Sequence, residues 1–258
     1  VFRVSAGIPA AILLLFIAKV SSEKLIIPKK KWVPLFFISI FNVTLWQVLM
    51  LYGVSMLGGG RAAVLGYTMP VWAVMVASIM GFEKITYSSF LALCLGVLGV
   101  ISLTVGIDFF SNWIGVLVML MAGLSWGIGT MILKYGGLNF NAFVIAGWQQ
   151  LIGILPIIPF AILWDFNNIG NPDYRHFLVL LFAIFFSSAY TYWAYFVVLQ
   201  NFTVTVTSIS VMMVPVLALL IDAMYLGIKF SYYDLIALLM IVMSIFIAAT
   251  KPFDKKNK

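Results

Sequence analysis

The chain has 258 residues, of which 64% are hydrophobic and only 9% are charged, and its mean hydropathy is +1.14. Soluble domains usually carry charge on about a quarter of their residues, so this composition excludes a water-soluble protein and indicates an integral membrane protein. The net charge of +7 lies mostly between apolar segments and in the C-terminal tail, a pattern typical of membrane-flanking residues and not of a nucleic-acid-binding surface.

Apolar segments recur along the whole chain, and each is long enough to cross about 30 Å of hydrocarbon as a helix. Membrane β-strands would be about ten residues long and alternating in polarity. We therefore predict an all-α membrane protein with nine transmembrane helices in the printed sequence. The predicted helices are 4–18, 33–56, 62–82, 86–107, 113–133, 142–164, 177–199, 203–226 and 232–250.

Lysine and arginine are unevenly distributed between alternate ends of these helices. One set of ends carries Lys19, Lys24, Lys29, Lys30, Lys31, Lys84, Lys134 and the tail lysines, and the other carries Arg3, Arg61, Arg175 and Lys229. By the positive-inside rule the lysine-rich ends face the cytoplasm. We therefore predict a multi-pass protein of the cell (inner or plasma) membrane with a cytoplasmic C-terminus.

The stretch 61–93 occurs a second time, 145 positions later. In both copies an apolar helix with a proline near its middle is followed by a turn with a lysine and by a second apolar helix. Because Lys84 is predicted inside and Lys229 outside, the two copies cross the membrane in opposite directions. The identical pairs are Pro70 and Pro215, Val71 and Val216, Ala73 and Ala218, Lys84 and Lys229, Tyr87 and Tyr232, Ala92 and Ala237, and Leu93 and Leu238.

The same shift divides the chain into an inverted repeat of two five-transmembrane-helix units. The first repeat is 1–107, the second is 113–250, and 251–258 forms a basic cytoplasmic tail. The helix at 113–133 has no partner in the first repeat, because its equivalent would fall before Val1. We therefore expect the complete protein to have ten helices, one of them preceding the printed sequence.

Short motifs of small and apolar residues accompany the two proline helices. They are Tyr67-Thr68-Met69-Pro70-Val71-Trp72-Ala73, Gly81-Phe82-Glu83-Lys84, Val214-Pro215-Val216-Leu217-Ala218 and Leu226-Gly227-Ile228-Lys229. This pattern resembles the drug/metabolite transporter superfamily, and specifically the EamA-type permeases with two five-helix repeats, here N-terminally truncated. The resemblance implies a permease, with export of amino acids or related metabolites as the family-level expectation.

The two prolines are candidate hinges of a transport cycle. Inverted repeats can expose a central site to either side of the membrane by exchanging conformations between their halves. Pro70 and Pro215 each remove a backbone hydrogen bond, so each is expected to kink its helix and leave a carbonyl without its usual donor. The alternative is that both prolines only shape helix packing.

Polar and aromatic residues on one face of the helix at 33–56, and of its copy at 177–199, form the candidate substrate-binding site. Such groups would lack partners in lipid, so this face is expected to point into the helix bundle. Their rings, hydroxyls and amides suit a small amphipathic or aromatic solute better than a bare ion. The candidate residues are Asn42, Trp46, Gln47, Thr191, Tyr192 and Tyr195, joined by Tyr67 beside Pro70 and by Trp126 in the helix at 113–133.

Other function classes fit the sequence less well. One histidine, one cysteine and the lack of paired carboxylates or a phosphate-binding glycine loop argue against a membrane-embedded enzyme, so we predict no catalytic residue, metal or cofactor. A non-transporting membrane scaffold or receptor is the alternative to a transporter. The expected partners are a small-molecule substrate and the lipid bilayer, with no nucleic acid, and a homodimer is left open.

Overall fold

The computed structural model describes residues 1–102, 112–165, 172–214, 217, 224 and 232–250. Within these ranges the regular structure is helical throughout and contains no strand, which confirms the predicted all-α class. The α-helices are α1 Phe2–Val20, α2 Trp32–Ser39, α3 Trp46–Leu57, α4 Gly59–Gly66, α5 Met69–Ile79, α6 Tyr87–Ser102, α7 Trp113–Tyr135, α8 Ala142–Ile154, α9 Ile158–Phe160, α10 Tyr174–Phe182, α11 Thr191–Asn201, α12 Val204–Val211 and α13 Tyr232–Thr250.

Several helical stretches of the described chain are long and apolar enough to cross a membrane. There are five, Phe2–Val20, Lys29–Leu57, Trp113–Tyr135, Ala142–Leu163 and Tyr174–Asn201. Shorter apolar helices are Met69–Ile79, Tyr87–Ser102 and Leu235–Ile247. This agrees with the membrane protein that the composition indicates.

The chain forms two compact units, and each contains helices from both predicted repeats. Unit 1 consists of Val1–Val48 and Ile128–Asn201, and unit 2 consists of Leu49–Gly127 and Phe202–Lys258. Helix α7 contributes its first part to unit 2 and its last turns to unit 1.

In unit 1, α1 packs against α8 in the opposite direction. A Cβ on Gly7 would overlap the side chain of Ile154, and a Cβ on Gly147 would lie 2.7 Å from Cγ of Leu15. An early residue of α1 thus contacts a late residue of α8, and a late residue of α1 contacts an early residue of α8, so the two helices are antiparallel. Small residues at these contacts let the two backbones approach closely, as is common between membrane helices.

In unit 2, α6 and α13 are related by a local two-fold symmetry. The Ser244 hydroxyl donates to the carbonyl of Ala92 across 2.5 Å, and a Cβ on Gly99 would lie 3.2 Å from the carbonyl oxygen of Ala237. The 145-residue shift carries Ala92 onto Ala237 and Gly99 onto Ser244. Equivalent helices of the two repeats therefore pack antiparallel with exchanged contacts, which confirms the inverted repeat.

Two transmembrane stretches contain π-helical turns at equivalent positions. The segments are Ile40–Leu45, between α2 and α3, and Ala183–Tyr190, between α10 and α11. The 145-residue shift carries 40–45 onto 185–190, inside the second segment. π-Helical turns are rare and occur frequently at functional sites. Their presence in both repeats therefore makes the neighbouring residues candidates for a functional site.

The Pro70 helix is broken instead of kinked, which differs from the continuous helix expected at 62–82. Helix α4 ends at Gly66 and α5 begins at Met69, with Pro70 in its first turn. The Thr68 hydroxyl donates to the carbonyl of Leu65 across 2.6 Å, and Pro70 has no N–H for the carbonyl of Gly66. The equivalent helix α12 ends at Val211, 145 residues after Gly66; Pro215 lies outside the described residues.

Candidate functional site

Asn42 provides a buried amide in unit 1. It lies in the π-helical segment Ile40–Leu45 and is fully buried. Its side-chain amide packs directly against Gly129 of α7, where a Cβ would overlap Oδ1 of Asn42. Neither the nitrogen nor the oxygen of this amide has a hydrogen-bond partner among the described residues. Burying an amide without partners costs about 1–3 kcal/mol in proteins, so this position favours a polar ligand.

Tyr192 joins the two transmembrane stretches whose π-helical segments are at equivalent positions of the repeats. It is buried, and its hydroxyl donates to the backbone carbonyl of Asn42 across 3.2 Å. The side chain of Gln47 makes a hydrogen-bonding contact with the same hydroxyl. The oxygen of the buried Gln47 amide has no hydrogen-bond partner among the described residues. Asn42, Gln47 and Tyr192 therefore form one connected polar group.

Tyr195 extends this group toward α7. Its hydroxyl lies 2.9 Å from the hydroxyl of Thr130, the residue after Gly129. Thr130 is fully buried. We call Asn42, Gln47, Thr130, Tyr192 and Tyr195 the polar cluster. All five residues belong to unit 1, and they come from both repeats.

The other predicted binding residues lie outside the polar cluster. Trp46 begins α3 and is half-buried, whereas Thr191 is exposed and its hydroxyl donates to the carbonyl of Phe186 across 2.7 Å. Tyr67 and Trp126 belong to unit 2. There Tyr67 packs against the apolar cluster formed by Val100, Met212 and Ile241. The hinge residue Pro70 is also in unit 2 and is buried.

Sequence reasoning missed Gln149 and Gln150 on α8. Both are buried in unit 1, and both atoms of the Gln149 amide and the oxygen of Gln150 have no hydrogen-bond partner in the described chain. A Cβ on Gly7 of α1 would lie 3.2 Å from Nε2 of Gln150. The sequence could have indicated both residues, because these two amides interrupt the otherwise apolar run 142–164.

Helix α8 is fixed against the stretch that carries Asn42. The Thr44 hydroxyl donates to the carbonyl of Gly153 across 2.6 Å, and a Cβ on Gly153 would lie 2.6 Å from the carbonyl oxygen of Ser39. Gln149 lies one turn before Gly153 on nearly the same face of α8. The buried amide of Gln149 therefore lies on the side of α8 that faces the π-helical segment of Asn42.

A cavity of about 380 Å³ opens beside the polar cluster within unit 1. Phe196 lines this cavity and also packs edge-on against Tyr192, with ring centroids 6.2 Å apart. The Lys134 ammonium lies in the wall, where it donates to the carbonyls of Leu199 and Gln200 at the end of α11. The lining residues are Leu133, Lys134, Leu138, Asn139, Phe140, Phe196, Leu199 and Gln200.

Two charged residues near helix ends have structural roles. The Glu83 carboxylate accepts hydrogen bonds from the backbone N–H groups of Val204 and Thr205, at 2.7 and 3.2 Å, and so caps α12. The Asp173 carboxylate caps α10. Hydrogen bonds from His176, chiefly from its backbone N–H and to a lesser extent from its side chain, hold the pKa of Asp173 below its usual value. Among the described residues, no group of three or more histidine, cysteine, aspartate or glutamate side chains is placed to hold a metal.

Comparisons with known proteins agree with this architecture. A family model described as the EamA-like transporter family matches residues 4–105 and again residues 113–250. The chain is 25% identical over 248 residues to the "Uncharacterized transporter YoaV" of Bacillus subtilis, covering 95% of this chain and 84% of that protein. It is also 25% identical over 250 residues to the "WAT1-related protein At3g02690, chloroplastic" of Arabidopsis thaliana, covering 93% of this chain and 60% of that protein.

The fold is also shared with a solved structure. One crystal structure matches with a TM-score of 0.81 and covers 96% of this chain and 86% of that one. The sequence identity is 14%, so the match concerns the fold alone.

Proposed function

The chain belongs to the EamA-like transporter family, and from this we propose that it moves a small amphipathic or aromatic metabolite, such as an amino acid or a related compound, across the cell membrane by alternating access. It is an integral membrane transporter, and similar proteins such as YoaV are named as transporters and not as enzymes. The direction that we propose is export. The lysine-rich helix ends and tail support a cytoplasmic C-terminus.

One observation carries the proposed binding site, namely the buried and incompletely hydrogen-bonded amides of the polar cluster. Asn42 is fully buried, and neither of its amide atoms has a partner among the described residues. Within a bilayer such groups cannot be satisfied by bulk water. A solute with its own donors and acceptors would complete these hydrogen bonds.

The composition of the polar cluster supports an organic solute. Tyr192 and Tyr195 offer ring faces and hydroxyls, while Asn42 and Gln47 offer both donors and acceptors. No carboxylate belongs to this cluster, so a bare cation would have only neutral oxygens there. An amphipathic solute would place its ring or chain against the tyrosines and its polar end at the amides.

The repeat geometry supports alternating access. The polar cluster takes Asn42 and Gln47 from the first repeat and Thr130, Tyr192 and Tyr195 from the second. In transporters with inverted repeats, the site usually lies where the repeats meet, and discontinuous helices line it. The breaks after Gly66 and Val211 occupy equivalent positions, and we propose the Pro70 and Pro215 helices as the elements that move between the two access states.

The test is counterflow of a labelled solute in proteoliposomes that contain the purified full-length protein. The solute is first found by a thermal-shift screen of metabolites, because a ligand that binds the folded form raises its melting temperature. Asn42→Ala and Tyr195→Phe are expected to reduce counterflow at least tenfold. Tyr190→Phe is the matched control, since Tyr190 is exposed in the same transmembrane stretch. If no solute that stabilises the protein shows counterflow, the result contradicts a transporter of this class and favours a scaffold or receptor.

A further inference from the structure

We propose that the loop between α1 and α2 is a docking site for an anionic phospholipid, whose headgroup binds Lys29 and Lys30 and whose acyl chains lie against α2. The proposal goes beyond transport, because it concerns the lipid around the protein and not the solute that crosses it. The loop and its neighbours belong to unit 1. Three features support it, namely a local excess of positive charge, an ordered loop backbone and an exposed apolar face beside the lysines.

The segment 19–31 carries a concentrated positive charge. It contains five lysines and one glutamate, which leaves a net charge of +4. In the described part of the chain, no lysine of this segment forms a salt bridge, and the one glutamate accepts its hydrogen bond from the neutral amide of Asn141, across 2.9 Å. The ammonium groups therefore attract an anion from outside the chain. Three of them are exposed, those of Lys24, Lys29 and Lys30.

Two tryptophans hold the backbone of this loop. The indole N–H of Trp148 donates to the carbonyl of Leu25 across 2.9 Å, and that of Trp32 donates to the carbonyl of Ile27 across 3.1 Å. The two indole rings pack edge to face, with centroids 5.5 Å apart. Tryptophan is enriched at the interface between membrane and water, so these contacts hold the loop at the level of the lipid headgroups. An ordered loop also loses less conformational entropy when a ligand binds.

The turn Lys29–Lys31 points its side chains in different directions. It is a 3-10 turn, in which successive residues are about 120° apart. The ammonium of Lys31 lies 2.6 Å from the position that a Cβ on Gly137 would occupy, so this half-buried lysine points toward the protein. Lys29 and Lys30 are left exposed, and lysine is a common ligand of phosphate groups. These two side chains can therefore bind the phosphate of a lipid.

An exposed apolar face begins directly after the lysines. On α2, the side chains of Val33, Phe36 and Phe37 are exposed, and their spacing places them on one side of the helix. In the loop itself, Ile26 is 86% exposed. A phospholipid with its phosphate at the two exposed lysines would place its acyl chains along these apolar side chains. A soluble phosphate could use the lysines alone, so this face favours the lipid.

The first test compares lipid affinities by native mass spectrometry of the purified full-length protein in detergent. The probes are phosphatidylglycerol and phosphatidylcholine with identical acyl chains. A lysine near an anionic headgroup contributes about fivefold in affinity, so Lys29→Gln/Lys30→Gln should lower the highest affinity for phosphatidylglycerol about 20-fold. The affinity for phosphatidylcholine should not change. Lys29→Arg/Lys30→Arg keeps both charges and should keep the wild-type affinity for phosphatidylglycerol.

The matched control for this test is Lys84→Gln, because Lys84 is exposed in unit 2 and is predicted on the same side of the membrane. Lys30→Gln alone should lower the affinity for phosphatidylglycerol about fivefold, whereas the equal charge change in Lys84→Gln should leave it unchanged. Equal affinities of the wild-type protein for the two lipids would overturn the proposal. An equal loss in Lys30→Gln and Lys84→Gln would overturn it as well.

The second test locates the lipid and separates it from a soluble anion. Amide hydrogen exchange of residues 24–31 is measured in phosphatidylcholine nanodiscs, in nanodiscs that also contain phosphatidylglycerol, and in phosphatidylcholine nanodiscs with glycerol phosphate in the buffer. Phosphatidylglycerol should slow exchange in this segment about threefold, since a bound ligand stabilises the closed form. Lys29→Gln/Lys30→Gln should abolish the slowing, and glycerol phosphate should cause none.

Two outcomes of the exchange measurement would contradict the lipid site. Equal slowing by glycerol phosphate would assign the lysines to a soluble anion, and unchanged exchange with phosphatidylglycerol would show that the loop holds no lipid. Neither test measures transport. Failure of the lipid site therefore leaves the counterflow result standing, and failure of counterflow leaves the lipid site standing.

Discussion

The hydroxyl of Tyr192 donates a hydrogen bond to the backbone carbonyl of Asn42 across 3.2 Å, and this bond links the two transmembrane stretches of unit 1 whose π-helical segments, Ile40–Leu45 and Ala183–Tyr190, are at equivalent positions of the repeats. Both residues are buried. The bond therefore fixes the backbone of Asn42 relative to the transmembrane stretch of the second repeat. Its loss should affect both stability and transport.

Tyr192→Phe removes this hydroxyl and leaves the Asn42 carbonyl and the Gln47 amide without it. We expect a loss of about 1–2 kcal/mol in the free energy of unfolding, measured by denaturant unfolding in detergent, and a reduced rate of counterflow. Tyr190→Phe is the control, because Tyr190 is 58% exposed. Equal stability of the two variants would show that the Tyr192 hydroxyl does not support the cluster.

Gly129→Ala should disturb the polar cluster by direct overlap. A Cβ at this position would collide with the amide of Asn42, so we expect reduced melting temperature and loss of counterflow. The double variant Asn42→Ala/Gly129→Ala removes the collision and should recover the melting temperature without recovering transport. Neighbouring residues couple in this way by about 0.5–3 kcal/mol. Additive effects of the two substitutions on melting temperature would contradict the contact.

Gln149→Leu should separate stability from function. Both atoms of the Gln149 amide are buried without hydrogen-bond partners in the described chain, so an apolar side chain of similar length avoids the desolvation cost. We expect the unfolding free energy to rise by about 1–3 kcal/mol while counterflow falls. The comparison variant is Gln150→Leu; in the wild-type protein, Nε2 of Gln150 lies near Gly7. A stabilised variant with unchanged transport would assign Gln149 to packing alone.

The duplication could be predicted from the sequence because it depends on composition and spacing alone. The 145-residue shift relates the helices that pack antiparallel in each unit, and it relates Gly66 to Val211 where both helices break. The way in which the units form could not be predicted. Each unit combines helices of both repeats, and this depends on which apolar faces pack together, which hydropathy does not distinguish.

The facing side chains of the candidate site could be predicted only in part, because π-helical turns change the helical period. At ordinary α-helical spacing, Trp46 follows Asn42 on the same face. In a π-helical turn the spacing is five residues, and the structure instead buries Gln47 beside the hydroxyl of Tyr192. The repeat equivalents follow the same rule, since Tyr192 is buried and Thr191 is exposed. The sequence carries no clear signal of a π-helical turn.

The cap of α10 should make the start of this helix sensitive to acid. Hydrogen bonds from His176 lower the pKa of Asp173 below its usual value of 3.8. The carboxylate therefore stabilises the helix start fully above pH 3.8, and this stabilisation is lost as the pH falls from that value through the lower pKa of the folded state. Amide hydrogen exchange of residues 174–177 should be slower in wild type than in Asp173→Ala at pH 6, because alanine cannot cap the helix, and the difference should shrink in acid. A difference that is constant with pH would contradict the cap.

Glu83 should stabilise the start of α12 from a distant part of the chain. Its carboxylate accepts from the N–H groups of Val204 and Thr205 and from the hydroxyl of Thr205, the last across 2.8 Å. Charge-assisted caps at a helix N-terminus contribute about 0.5–2 kcal/mol, so Glu83→Ala should lower the unfolding free energy by about that amount, and Glu83→Gln by less. Lys84→Ala changes the next residue, which is exposed, and should have little effect. If Glu83→Ala and Lys84→Ala lower the melting temperature equally, the carboxylate has no capping role, and the loss of stability comes from substitution in the turn itself.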